Sequence, residues 1–132
     1  MAGDTTDWTE LREFRSVDLA RSFVVSWGIE AESLNIDVDL FLCPDHPFYE
    51  KPRPAEGACF RAALLEFPYC SRAAPAGSAR DRDPRETIAR LRTGRIDGLT
   101  RTGEGVYEIT GDFGAVEIHA ERPVLRLQDR GG

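Results

Sequence analysis

Three cysteines and two histidines are the side chains of this 132-residue chain most suited to metal or nucleophilic chemistry. Cys43-Pro44-Asp45-His46 sets a thiol and an imidazole three residues apart, with Cys59, Cys70 and His119 further along. Thiolate and imidazole are natural zinc ligands, and a C-x-x-H pair beside another Cys can supply part of a tetrahedral site. Cys43, His46 and Cys59 are therefore the candidate metal set. Against it, Pro44 and Pro47 restrict the loop, and no second ligand pair follows at short spacing. Free cysteines are usually small buried residues, and all three read more simply that way. Cys–His catalysis would need thiolate and base within hydrogen-bond reach and donors for an oxyanion, with only His46 and His119 as imidazole bases. Phosphate-cradling glycine loops, G-x-S-x-G elbows and H-E-x-x-H helices are absent from the sequence. No cofactor is implied, and the balance leans away from an enzyme.

Carboxylates come next. Asp37 and Asp39 share one face of an alternating segment, and Glu108, Asp112 and Glu117 surround a later hairpin. Paired carboxylates do acid–base work when their surroundings split their pKa values. Acids at a spacing of two also mark the wet side of a sheet, where an Arg such as Arg61 can neutralise them. The loop from Pro44 to Pro54 has a different character. Its four prolines stiffen it, and it offers Phe48 and Tyr49 with His46, Lys51 and Arg53 around them, a composition suited to an interface. The competing reading folds both rings back over the end of the core.

Charge is lopsided. Residues 1–50 hold eleven acids and three Arg, a balance of −8, whereas residues 71–101 hold eight Arg and four acids, a balance of +4. The acidic half repels nucleic-acid backbones and suits a basic or mixed-charge protein. Arg80, Arg82, Arg85, Arg90, Arg92 and Arg95 are interleaved with Asp81, Asp83, Glu86 and Asp97 and read as a solvated face.

The elements that must position these groups are mostly strands. Phe23, Val25, Trp27 and Ile29 alternate with polar or small residues, and Leu34, Ile36, Val38 and Leu40 alternate with Asn35, Asp37, Asp39 and Phe41. A turn at 30–33 predicts a hairpin that pairs Ile29 with Leu34, Trp27 with Ile36, Val25 with Val38 and Phe23 with Leu40, every apolar member facing the core. A third strand over 58–67 returns beside 36–43 and brings Arg61 onto the face of Asp37, Asp39 and Phe41. Residues 71–82 read as a mobile loop. Asp83-Pro84-Arg85-Glu86 signals a capped helix closing at Gly94. Strands at 96–101, 106–110, 115–120 and 124–127 complete an α+β, mostly antiparallel domain. The expectation is a twisted sheet or partly open barrel or sandwich of about six to eight strands with one short helix near 83–94. Strands 58–67 or 124–127 as sheet edges leave room for a homodimer.

The whole chain, 1–132, reads as one domain with residues 1–7 frayed. It has 41% apolar and 30% charged residues, as ordinary globular proteins do. No apolar run approaches the ~20 residues that span a bilayer, and the acidic N-terminus is the reverse of a secretory signal. With an odd number of cysteines, these features predict a cytoplasmic protein with reduced thiols. Sixteen of the seventeen basic residues are Arg, as expected of a GC-rich bacterial genome. The segments Ser22–Trp27, Ile36–Asp39, Pro44–Tyr49 and Cys59–Arg61 resemble small bacterial β-rich proteins of unknown function, a resemblance that brings no activity with it. Size and acidity are also similar to those of immunity proteins that neutralise bacterial toxins. The expected function is therefore protein binding through Asp37, Asp39 and the 44–54 loop. A ligand-binding or metal-assisted enzyme with a pocket between sheet and helix is the alternative.

Overall fold

In Ser33–Leu42 the side chains alternate without a break: Leu34, Ile36, Val38, Leu40 and Leu42 are buried, and the residues between them are partly exposed. That period of two makes it a strand with one core face and one wet face. It lies at the centre of a computed structural model that describes residues 6–47, 49, 59–77 and 83–127. Strands β1 (Thr6–Asp7), β2 (Val17–Glu30), β3 (Ser33–Leu42), β4 (Phe60–Phe67) and β5 (Arg72–Pro75) precede helix α1 (Pro84–Ile88). Strands β6 (Gly94–Gly103), β7 (Val106–Gly111), β8 (Gly114–His119) and β9 (Val124–Leu127) follow it. The described residues thus form an α+β fold whose nine strands make one sheet, ordered β5-β8-β7-β6-β2-β3-β4-β9 with β1 beside β6. All pairings are antiparallel. The edge strands β5 and β9 are not paired with each other, so the sheet curls without closing into a barrel.

The curl follows from irregularities in β2. Its pairing with β3 holds from Glu30↔Ser33 to Ser26↔Asp37 and then slips, so that Val24, not Val25, meets Val38, and Phe23 meets Asp39. Val25 is the extra residue of a bulge and is 60% exposed, while Val24 is buried. The expected core positions of Phe23 and Val25 are thus corrected: both face solvent. A second irregularity separates Asp18↔Phe41 from Phe23↔Asp39. There the fully buried Ser22 hydroxyl donates to the Asp18 carbonyl (2.9 Å) and accepts from the Phe41 N–H (3.0 Å), replacing lost ladder bonds. Bulges bend a strand and add twist, which lets the two arms of the sheet fold over a shared core.

Three other expectations change. Arg61 stands opposite Leu40, and Phe60, Ala62 and Leu64 stand opposite Phe41, Asp39 and Asp37. Arg61 is therefore off the Asp37/Asp39 face by one residue of register. The segment read as a mobile loop contains β5, paired with β8 from Arg72↔His119 to Pro75↔Val116; residues 78–82 lie outside the described residues. Ala73 is buried toward Ile118, and Ala74 is buried on the other side of the strand, beside α1. Small residues suit a strand with something on both faces, and Pro75 is tolerated at a sheet edge. Strand β4 is interior, between β3 and β9, so of the two expected edges only 124–127 is one. At the N-terminus, Thr6 and Asp7 are paired with Arg101 and Thr100. The 3-10 turns Trp8–Glu10 and Arg12–Phe14 then bring Leu11 and Phe14 into the core.

The helix begins as its sequence dictates. The Asp83 carboxylate accepts from the Arg85 N–H (3.0 Å), with Pro84 in the first turn. It stops at Ile88, well before Gly94. Beyond it the Arg90 and Leu91 N–H groups donate three residues back, to Thr87 and Ile88 (both 3.1 Å), Leu91 packs against the core, and the Trp27 indole N–H donates to the Arg92 carbonyl (2.8 Å). Gly94, at φ +131°, opens β6 instead, against the Asp112 side chain. No helix among the described residues is long and apolar enough to cross a membrane.

Candidate functional site

The outer face of β2, β3 and β4 carries a group of side chains that the core does not need. Register places Asp18, Phe41 and Phe60 in one cross-strand row, Phe23, Asp39 and Ala62 in the next, and Ser26, Asp37 and Leu64 in a third. Rings from all three strands converge. Phe60 lies 5.6 Å from Phe41, edge to face, and 5.9 Å from Phe23. Because Phe23 and Phe60 belong to strands on either side of β3, their rings meet above β3 beside Asp39. Phe23 remains 40% exposed, and Val25 extends the apolar surface along β2. The Arg21 guanidinium sits over the Phe41 ring at 5.2 Å and 3.4 Å from Asp18. Outward aromatic rings are enriched in interfaces relative to the rest of a protein surface.

Among the described residues, Asp37 and Asp39 are the two predicted ones that the fold brings to this face. The Ser26 hydroxyl donates to Asp37 at 2.6 Å. Burial beside the rings pushes the Asp39 carboxyl above its ordinary pKa. The folded state then holds this proton more tightly than the unfolded chain, so the contribution of Asp39 to stability falls as pH rises through the raised pKa. Asp39→Asn is therefore expected to raise the melting temperature at pH 7, with the gain disappearing near pH 3. Thermal melts of both proteins across that range check the sign.

The other described candidates, His46, Tyr49, Cys43 and Cys59, are not part of this cluster. His46 is half-buried in the turn after β3, where its N–H donates to the Cys43 carbonyl (2.9 Å). Burial holds its imidazole below the usual pKa against the opposing charge of Asp45, and Arg61 acts in the same direction as burial. Tyr49 packs at the margin of the core. Phe48, Lys51 and Arg53 lie outside the described residues. Cys59 is buried and Cys43 half-buried, with burial pushing the Cys43 thiol pKa up. Among the described residues no three His, Cys, Asp or Glu side chains converge as metal ligands do. The Cys70 thiol donates to the Arg72 carbonyl (3.3 Å), and burial raises its pKa, which disfavours the thiolate.

Of the later carboxylates, Asp112 and Glu117 make contacts between neighbouring strands. Asp112 accepts from the Arg95 N–H (3.0 Å) and ties the start of β6 to the β7–β8 turn. Glu117 lies across from Glu108, 3.2 Å from the Arg72 guanidinium and 3.1 Å from His119 Nε2, the last a contact without hydrogen-bond alignment. The anticipated space between sheet and helix exists as a cleft of about 470 Å³ lined by Ala74, Pro75, Thr87, Leu91 and neighbours, with Glu86 and Arg90 as its charged members. Neither cysteine nor histidine is among the described residues that line it.

Sequence reasoning missed Phe23, Val25, Phe41 and Phe60 as site residues. Phe41 gave the available signal, since it shares its parity along β3 with Asp37 and Asp39 and so had to point outward with them. No protein-family model, curated protein or solved structure matches the chain. The arrangement just described defines an α+β protein with an aromatic, acidic sheet face.

Proposed function

We propose that this chain is a non-enzymatic protein-binding module whose contact surface is the outer face of β2, β3 and β4. The observation that carries the reading is the cluster of Phe23, Phe41 and Phe60 with Val25, facing away from the core around Asp37 and Asp39. Rings already held by their neighbours lose little conformational entropy when a partner covers them, and they are the residue type that dominates interface energetics. The partner is a basic or mixed-charge protein, because residues 1–50 carry a balance of −8. An isologous dimer through this face would set Asp37 and Asp39 near their own copies, so a different protein is favoured. The analogy with small acidic immunity proteins belongs with this reading. So does a cytoplasmic location, where the three free thiols remain reduced.

Photo-crosslinking tests the proposal. A benzoylphenylalanine is placed at position 25, on the face, or at position 69, an exposed turn residue elsewhere. In lysate of the source organism, position 25 is expected to give a discrete adduct with a basic protein that position 69 does not give. Phe23→Ala introduced alongside should abolish it. Identical adducts from both positions, or none from position 25, would contradict the assignment.

A further inference from the structure

Asp39 differs from the other acids of its sheet face in one respect. Asp18 is paired with Arg21 (3.4 Å), Asp37 accepts from Ser26 (2.6 Å), and Glu66 is paired with Arg126 (3.5 Å). Among the described residues, the Asp39 carboxylate has neither a hydrogen bond nor an ion pair. Burial also raises its pKa. A half-buried charge without a partner costs stability, and a cation supplied from outside would remove that cost.

The surroundings of Asp39 select among cations. Phe23 is its register partner on β2, and the Phe23 and Phe60 rings meet 5.9 Å apart over the same strand. An ammonium needs only a point counter-charge. A planar guanidinium can present paired N–H donors to a carboxylate while its face lies on an aromatic ring. The face already accommodates that second contact, since Arg21 lies over Phe41.

We propose that Asp39, Phe23 and Phe60 form a receptor for an arginine side chain of the partner protein, an inference that rests on the protein-binding reading of this face. Arginine pairs with the carboxylate and stacks on the rings, which makes Asp39 a specificity determinant while the phenylalanines supply contact area.

A random peptide library displayed on phage and panned against the full chain provides the probe. Amide chemical-shift changes show whether each enriched peptide occupies the face of Phe23, Phe41 and Phe60. Peptides on the face are expected to contain arginine. Replacing that arginine by neutral citrulline should weaken binding about tenfold to the wild type, and less than about twofold to Asp39→Asn. Asp39 lies on the sheet surface, so its amide variant is expected to fold, which the same spectra verify. Peptides that occupy the face without arginine, or an equal citrulline penalty on both proteins, would overturn the arginine receptor while leaving the binding face standing. Enriched peptides that shift no amide of the face would overturn both.

Discussion

Replacing Phe67 by alanine is expected to cost the fold about 3–5 kcal/mol, the largest effect of any single truncation considered. Phe67 is fully buried on β4, and its ring centroid lies 5.3 Å from that of Tyr107 on β7. Three strands separate β4 from β7 in the order of the sheet, so this contact spans the core and joins its two arms. Alanine removes most of the ring's contacts and leaves a cavity between arms whose positions are fixed by strand pairing, so little can collapse into it. Domains of this size have about 5–15 kcal/mol of stability in total, so the variant will be marginal or unfolded. Denaturant titration measures the loss, and an unchanged slope would show that the same surface is still exposed on unfolding. Phe23→Ala is the contrast: a ring already 40% exposed has far less to lose, and its removal should cost under about 1.5 kcal/mol. Equal losses from Phe67 and Phe23 would contradict the assignment of inner and outer faces.

Gly111→Ala is the second large effect, expected at about 3 kcal/mol. A Cβ at this position would lie 2.1 Å from the Arg95 carbonyl oxygen and 2.7 Å from the Phe113 ring. The ring can move, but the carbonyl is held by the Asp112 N–H at 3.0 Å. Arg95 is further fixed by its own N–H donating to the Asp112 carboxylate. The collision is therefore relieved only by separating the start of β6 from the end of β7, at the pair Ile96↔Gly111. Gly98→Ala, on the same pair of strands, would meet nothing nearer than Thr110 Oγ1 at 3.8 Å and should be neutral or slightly stabilising. Melting temperatures of the two variants separate close backbone approach from a general intolerance of alanine.

The parts of this fold legible in the sequence are those where one physical rule acts alone. In β3 the alternation is unbroken, and its faces follow from parity. The cap at Asp83-Pro84 is local chemistry and formed as the residues imply. Strands β6 to β9 are bounded by glycine and proline signals and fall within a few residues of expectation. The failures share a cause, namely competition between a local pattern and a partner distant in sequence. Val24-Val25 offers two apolar residues for one inward position, and the bulge that chooses Val24 depends on how β2 pairs with β3 and β6. A stretch of Ala, Pro and Gly has the composition of a linker, yet Ala73-Ala74 fits between β8 and α1 because it is small. The helix gives way after Ile88 to three-residue turns, and the chain beyond them is tied to Trp27, sixty-five residues away in sequence, through the Arg92 carbonyl.

The same distinction applies to the candidate site. Asp37 and Asp39 were readable as outward acids from parity alone. The aromatic cluster around them was not, because Phe23 reaches the outer face only through the bulge, and Phe60 only through a register one residue from the expected one. Once both are placed, a face that reads as solvated acids becomes a mixed surface on which Asp39 has no partner among the described residues.

The most direct test of the proposed binding face is the affinity of a protein crosslinked through position 25, measured by titration calorimetry against wild type and Phe23→Ala. On the proposed reading Phe23 is a hot spot of the contact, and a loss of about 1.4 kcal/mol raises the dissociation constant tenfold, with the variant still folded in the same buffer. An unchanged dissociation constant for a folded Phe23→Ala protein would contradict the account.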